Sequence, residues 1–434
     1  MIRSILIGML LVGSAGAADG WWIQLHDPEL DSLVDRAVRN NIDLRVAASR
    51  VVEARAIERA QRSSLLPTIS LAGAFNRIRG VDPSGRPLFS PADTNTVQSG
   101  LDSSWEADVF GGNRKAVSAA GADARSAEEG RRDVLVTVIG EVARVYAELR
   151  GLDQRIAITQ ATIRTQSDTL HLTQVRAEAG LATELDVARQ SALLSTTEAA
   201  EPAFGAARVA AVDRLAVLLG LRPEDLREEL EKSGELPIAP GLVPDAVPSD
   251  LLSRRPDIRR AQADVAAAAA RVGAAKSDLF PKFTITGLSG RQASGFGGLT
   301  LGAGNFFAVG PAIQLPIFTG GRIRANIAAN DARLEQANVR YEGAMLTAVG
   351  EVENALAAYA REQERRDKLA AAAEASRTAV DLARELYSRG LSDFLSVLDA
   401  QRAQYADEDA LAQSQTAVIT NVVALYKSLG GGWQ

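Results

Sequence analysis

Few side chains in this sequence are equipped for covalent chemistry. Cysteine is absent, so no thiolate nucleophile, thiolate metal site or disulfide is available. The two histidines, His26 and His171, lie far apart, which leaves little material for an imidazole metal site or a hydrolytic triad. Glu106 and Asp108 have the types of a two-carboxylate hydrolase, yet acids alternating along a strand describe a polar barrel interior more simply. The run "SGFGGLTLGAG" carries closely spaced glycines without the strand–loop–helix context or following lysine of a phosphate cradle. Only Met1, Met9 and Met345 supply thioethers, so no soft-metal path is expected. An enzyme is not indicated, and neither a cofactor nor a metal is implied. A different kind of chemistry is offered by Leu395, Asp399 and Arg402, which the 4,3 spacing puts on one helical face. Repeated about a threefold axis, Asp399 becomes a ring of carboxylates that favours cations and can seal a tube. The plainer reading is an exposed ion pair worth about 0.5 kcal/mol.

The elements that must position these residues begin with one stretch, from Asn113 to Ala179. It lacks proline, and Leu135, Val138, Val142, Val145, Leu149, Leu152, Ile156 and Ile163 recur on a seven-residue beat. That is the narrow stripe of a supercoiled helix. At ~1.5 Å per residue it would reach about 100 Å, more than a compact domain can hold. The 434-residue chain is 46 % hydrophobic with a net charge of −6, and no basic block points to a nucleic-acid partner. The N-terminus reads as an export signal over 1–17, with Arg3, an apolar core from Ile5 to Val12 and small residues at Ala15–Ala17. No later run is long and apolar enough for a transmembrane helix. Export without a helical anchor leaves the periplasm, the exterior or the outer membrane of a Gram-negative cell.

The sequence is also written twice. Residues 40–73 return as 254–287, with Asp43, Pro67 and Gly73 matched by Asp257, Pro281 and Gly287. Further on, "GEVARVYAEL" returns as "GEVENALAAY" and "EAGLATELDV" as "SRGLSDFLSV". Ordered matches at near-constant offset indicate a tandem duplication. The first repeat spans 18–220, with a helix, two strands over 67–110, a long helix over 113–179 and a helix over 183–219. A proline-rich equatorial connector at 221–253 carries a short helix near Glu224–Glu231. The second repeat spans 254–434, with a helix, two strands over 282–318, a long helix over 321–388 and a helix over 392–429. Among the prolines, Pro202 falls inside an expected helix and should kink or break it.

Within the two inserts the apolar period changes from helical to two. Ile69, Leu71 and Phe75 alternate with Thr68, Ser70 and Ala72, and Phe283 and Ile285 with Thr284 and Thr286. In the return strands Val97, Leu101, Trp105 and Val109 oppose Gln98, Asp102, Ser104, Glu106 and Asp108, while Val309, Ile313 and Leu315 oppose Ala312 and Gln314. The expected lumen-facing set is Asp102, Ser104, Glu106, Asp108, Thr284, Thr286 and Gln314. Strands of this length and pattern suit an outer-membrane barrel, and the turn-rich runs at 79–95 and 294–304 suit its exterior loops. In lipid the sheet has to close, four strands are too few, and three copies would supply twelve. The fold class expected is therefore mainly α with a small β-barrel portion: a trimeric 12-stranded outer-membrane β-barrel continued by a long periplasmic α-helical barrel.

The segments "WWIQLHDPELDSLVDRAVRNNIDLRVAASRV", "LLSRRPDIRRAQADV", "SDLFPKFTITG", "PIFTGGRIRA", "SVLDAQRAQY" and "ALYKSLGGGW" resemble the TolC-type outer membrane factors, in the OprM/NodT-like branch of RND efflux outer membrane proteins. The resemblance implies a homotrimer in outer-membrane lipid, a periplasmic adaptor (membrane fusion protein) and an inner-membrane RND-type transporter as partners. It implies a passive exit duct for drugs or other small molecules. A duct for type I protein secretion, and a periplasmic coiled-coil structural protein without a channel, are the competing readings. It further implies that the helix tips, Gly180, Leu181, Ala182, Thr183, Gly390, Leu391 and Ser392, meet the adaptor. Leu395, Asp399 and Arg402 would narrow the periplasmic mouth, the leucine by bulk and the charges by pairing between helices. Two departures stand out: no cysteine follows the signal to carry a lipid, and the connector reads "VPDAVPSDLL" where Gly-Leu-Pro is usual.

Overall fold

The computed structural model describes residues 20–79, 93–238, 254–296, 298–301 and 304–431. The export signal, most of the 79–95 loop, part of the 294–304 loop and the "VPDAVPSDLL" stretch of the connector lie outside the described residues, wholly or nearly so. A 3-10 turn at Trp21–Leu25 leads into α1 (Pro28–Asn40), α2 (Ile42–Ser63), β1 (Thr68–Arg79), β2 (Asp93–Ala107), α3 (Gly112–Glu178), α4 (Glu184–Glu198), α5 (Ala200–Leu218) and α6 (Pro223–Arg227). The later half repeats the plan with α7 (Pro256–Ser277), β3 (Lys282–Ala293), a single turn α8 (Gly298–Leu301), β4 (Gly304–Gln314), α9 (Arg322–Ser388) and α10 (Phe394–Ser428). Both α3 and α9 contain 67 residues. The helix expected over 183–219 is broken in two, because the Pro202 ring has no N–H and its bulk displaces the carbonyl four residues before it, at Glu198. In the second repeat the equivalent helix has no proline and runs unbroken as α10.

The chain forms two compact units. The first comprises Met1–Ala47, Gly130–Ile258 and Met345–Gln434. Its core is built by α1, whose Leu30, Leu33, Val34 and Ala37 recur at 3,1,3 spacing and pack on Val138, Val142, Val145, Tyr146 and Leu149 of α3 and Leu215 and Leu219 of α5. Asp27 caps α1 by accepting from the Glu29 and Leu30 amides at 3.0 and 3.1 Å. Leu226 and Leu230 close the same core from α6 and the turn after it. Buried charge is paired within it. Arg150 and Asp153 are each only 2 % exposed; Arg150 reaches Glu29 and Asp153, and Asp153 also takes Arg208 at 2.7 Å and the Gly234 amide at 3.2 Å. Burial alone would lower the Arg150 pKa, but its hydrogen bonds and carboxylate neighbours hold it above the ordinary value.

The second unit comprises Ala48–Glu129 and Arg259–Ala344. Its sheet is antiparallel in the order β1-β2-β3-β4. Helix segments of α2, α3 and α7 in this unit are joined by polar contacts, among them Arg55 with Glu128 at 3.3 Å and Ser126 with Asp264 at 2.6 Å. Among the described residues no helix is long and apolar enough to cross a membrane.

Candidate functional site

Strand register decides which side chains share a face. Thr68 pairs with Ser104 and Ser104 with Thr286; Glu106 pairs with Thr284, and Lys282 with Gln314. Asp102, Ser104, Glu106, Thr284, Thr286 and Gln314 therefore project to one side, because side chains alternate with period two. Thr68, Ser70, Asp102, Ser104 and Thr286 line a shared concavity. The other side carries Ile69, Leu71, Phe75, Leu101, Trp105, Phe283, Ile285, Phe307, Val309 and Ile313. Leu71 is 77 % exposed and Phe307 82 %. Trp105 keeps its indole N–H satisfied by donating to the Leu65 carbonyl at 3.0 Å.

Asp108 departs from the expected lumen set. β2 ends at Ala107, and the Asp108 carboxylate accepts from the Asn113 and Arg114 amides at 3.1 and 2.8 Å. It caps the start of α3 rather than projecting from a strand, because free N–H groups at a helix N-terminus attract a carboxylate. Val109, read as the last member of the apolar face, also lies past the strand.

Each hairpin tip has the same backbone. α3 ends with Gly180 at φ +70°, and the Gly180 and Leu181 amides donate back to the Ala177 and Arg176 carbonyls at 2.9 and 2.8 Å. α9 ends with Gly390 at φ +72°, and the Gly390 and Leu391 amides donate to Tyr387 and Leu386 at 3.0 and 2.9 Å. This paired bonding needs a left-handed residue, which glycine adopts without a Cβ clash. The next helices are capped at once, α4 by Thr183 in a reciprocal box with Asp186 and α10 by Asp393 accepting from the Ser396 amide at 3.1 Å. With both ends so fixed, Leu181 and Leu391 stand out at 67 % and 70 % exposure. Ala182 and Ser392 are half-buried beside them.

In its first two turns α10 buries Phe394, Val397, Leu398 and Gln401. Leu395, Asp399 and Arg402 occupy a different, exposed face of the same helix. Among the described residues neither charge makes an ion pair, so the pairing between helices implied by the resemblance is not made within one chain.

The reading by apolar spacing missed how the hairpins are held together near the tips. Beyond Ile156 one of the two heptad positions of α3 passes to polar residues, Thr159, Gln166 and Thr173, all buried. Gln401 of α10 donates to Thr169 at 2.9 Å, and Gln190 of α4 donates to Gln401 at 3.3 Å and to the Gln166 carbonyl at 3.0 Å. Arg176 lies over the Tyr387 ring at 4.6 Å, and burial pushes the Tyr387 phenol up. Following the heptad through threonine and glutamine would have found this layer.

Known proteins with this architecture identify its setting. The model of the outer membrane efflux protein family matches residues 33–221 and 247–431. The solvent efflux pump outer membrane protein SrpC of Pseudomonas putida is 34 % identical over 412 residues, covering 94 % of this chain and 86 % of its own. The outer membrane protein OprJ of Pseudomonas aeruginosa is 33 % identical over 420 residues, covering 95 % and 86 %. The solved structure of the outer-membrane channel OprN superposes with a TM-score of 0.91 at 35 % identity, covering 96 % of this chain and 94 % of that one. The chain belongs to the outer membrane efflux protein family and has the fold of its outer-membrane channels.

Proposed function

We propose that three copies of this chain form the outer-membrane exit duct of a tripartite efflux system, fed by a periplasmic adaptor and an inner-membrane RND-type pump. The observation that carries the reading is the four-stranded sheet: one face apolar and exposed, the other polar, and the outer edges of β1 and β4 unpaired among the described residues. A sheet in hydrocarbon must pair every amide, so it closes on further copies. Three copies make twelve strands, within the even-numbered range of such barrels. The polar face then lines the lumen with Asp102, Ser104, Glu106, Thr284, Thr286 and Gln314. Their threonine and carboxylate side chains suit hydrated passage and leave selection of the cargo to the pump.

The tips serve the adaptor. Leu181 and Leu391 are apolar, exposed and rigidly presented by the same turn in each repeat, as a docking anchor should be. Leu395, Asp399 and Arg402 close the mouth until the adaptor holds the hairpins apart. The relatives' names mention efflux of solvent, toluene and antibiotic and export of pyoverdine, which supports small-molecule cargo here over a protein. The experiment is complementation in a Gram-negative host stripped of its own efflux ducts. Resistance to a pump substrate should return when this chain is expressed with an adaptor and pump, and Leu181→Asp with Leu391→Asp should abolish both resistance and adaptor co-purification. Full resistance with both substitutions would remove the tips from the contact, and no resistance with any pump would count against the duct.

A further inference from the structure

The mouth has a second half, on α4, which the apolar and charge spacing of α10 alone does not reveal. The two tips superimpose in sequence at an offset of 210, Gly180 on Gly390 and Val187 on Val397. Carried forward, the offset puts Leu185 on Leu395, Arg189 on Asp399 and Ala192 on Arg402. Burial differs between the two helices, since α4 hides Gln190, Leu193 and Thr197 while α10 hides Phe394, Val397, Leu398 and Gln401, so the correspondence is one of level along the helices. Leu185 and Leu395 are both exposed. Arg189 is half-exposed, and among the described residues it makes no ion pair, as Asp399 makes none. The two helices are already pinned together through Gln190 and Gln401 without bringing these opposite charges into contact within the chain.

We infer that Arg189 is the ion-pair partner of Asp399 of a neighbouring copy, so that a ring of alternating charges, with Leu185 and Leu395 beside it, seals the tube. This rests on the trimeric duct proposed above. A duplicated chain on a threefold axis surrounds that axis with six equivalent helices, alternately α4 and α10. Residues equivalent by the repeat stand at one height, so each Asp399 is flanked by arginines from both sides. Its own chain does not supply the contact; the next copy has the complementary charge at the matching level.

Two experiments on the full-length protein test it. In planar bilayers, Arg189→Asp and Asp399→Arg should each raise open probability about tenfold, the summed effect of three exposed pairs, and the combined swap should return it to the wild-type level. Independently, the absence of native cysteine permits R189C with D399C alone. Copper-phenanthroline oxidation should then give dimer and trimer bands that survive heating on a non-reducing gel. Single variants that conduct like the wild type, a swap that fails to rescue, or cross-linking confined to the monomer band would each overturn the pairing. Wild-type protein that conducts nothing and runs as a monomer would instead overturn the duct itself, and the inference with it.

Discussion

Replacing Asp153 by alanine tests how the first unit is held together. The carboxylate is 2 % exposed and answers two guanidinium groups, Arg150 at 2.8 Å and Arg208 at 2.7 Å, besides the Gly234 amide. Its loss leaves Arg150, equally buried, with Glu29 as its remaining carboxylate, while Arg208 keeps the Leu230 and Glu231 carbonyls. Breaking one side of a buried pair costs about 3–5 kcal/mol, since the surviving charge stays out of water. The loss should appear first where the connector is tied down, at the residues around Gly234. Hydrogen exchange there should accelerate by roughly two to four orders of magnitude. Arg150→Met combined with Asp153→Leu should recover most of the loss, because removing both charges removes the burial penalty with the attraction. Exchange near Gly234 that changes less than about tenfold, or a double variant as damaged as the sum of the singles, would refute the reasoning.

Four further outcomes are expected. Leu71→Arg on the apolar strand face should cost about 2–4 kcal/mol and sharply reduce membrane-inserted protein, whereas Thr284→Arg on the polar face should insert normally and shift ion selectivity toward anions. Gly390→Ala meets no atom within 4 Å, so its cost is the left-handed backbone alone, about 1 kcal/mol, read as faster exchange of the Leu391 amide. Arg144 and Arg214 hold the Glu141 carboxyl below 4.5; Asp257 is pushed up by burial but held below 3.8 overall by Arg255. Carboxyls lowered on folding stabilise above their unfolded values, so thermal stability should be flat above about pH 5 and fall as pH drops through 4.5 and then 3.8, followed by circular dichroism. Gln401→Leu should loosen α10 from Thr169 and Gln190, costing about 1–3 kcal/mol through the unpaired amide groups left behind and raising basal conductance.

Much of the fold was legible because it is periodic. The heptad from Leu135 to Leu152 lies on the side of α3 that packs into the core, and α3 differs from the stretch read as 113–179 by a single residue at each end. The duplication showed that α9 would match it before any packing was considered. The two-residue alternation put Leu71, Leu101 and Ile285 on one face and Ser104, Glu106 and Thr284 on the other, as the register does. Alternation failed at Asp108 because a side chain's period says nothing about where a strand stops, and the cap it makes depends on amides five and six residues later. Leu395, Asp399 and Arg402 could be placed on one face of α10, but spacing on one helix is silent about what faces them from another. The polar layer of Gln166, Gln190 and Gln401 leaves no trace in apolar periodicity, because its buried side chains are amides.

The account depends most on the sheet closing across copies into a conducting barrel. Protein extracted from outer membranes in mild detergent, sized by light scattering and then added to a planar lipid bilayer, tests this in one preparation. The expected result is a particle of three times the mature chain mass that inserts and passes ions in discrete steps. A monomer that stays in aqueous solution without detergent and leaves the bilayer silent would contradict it.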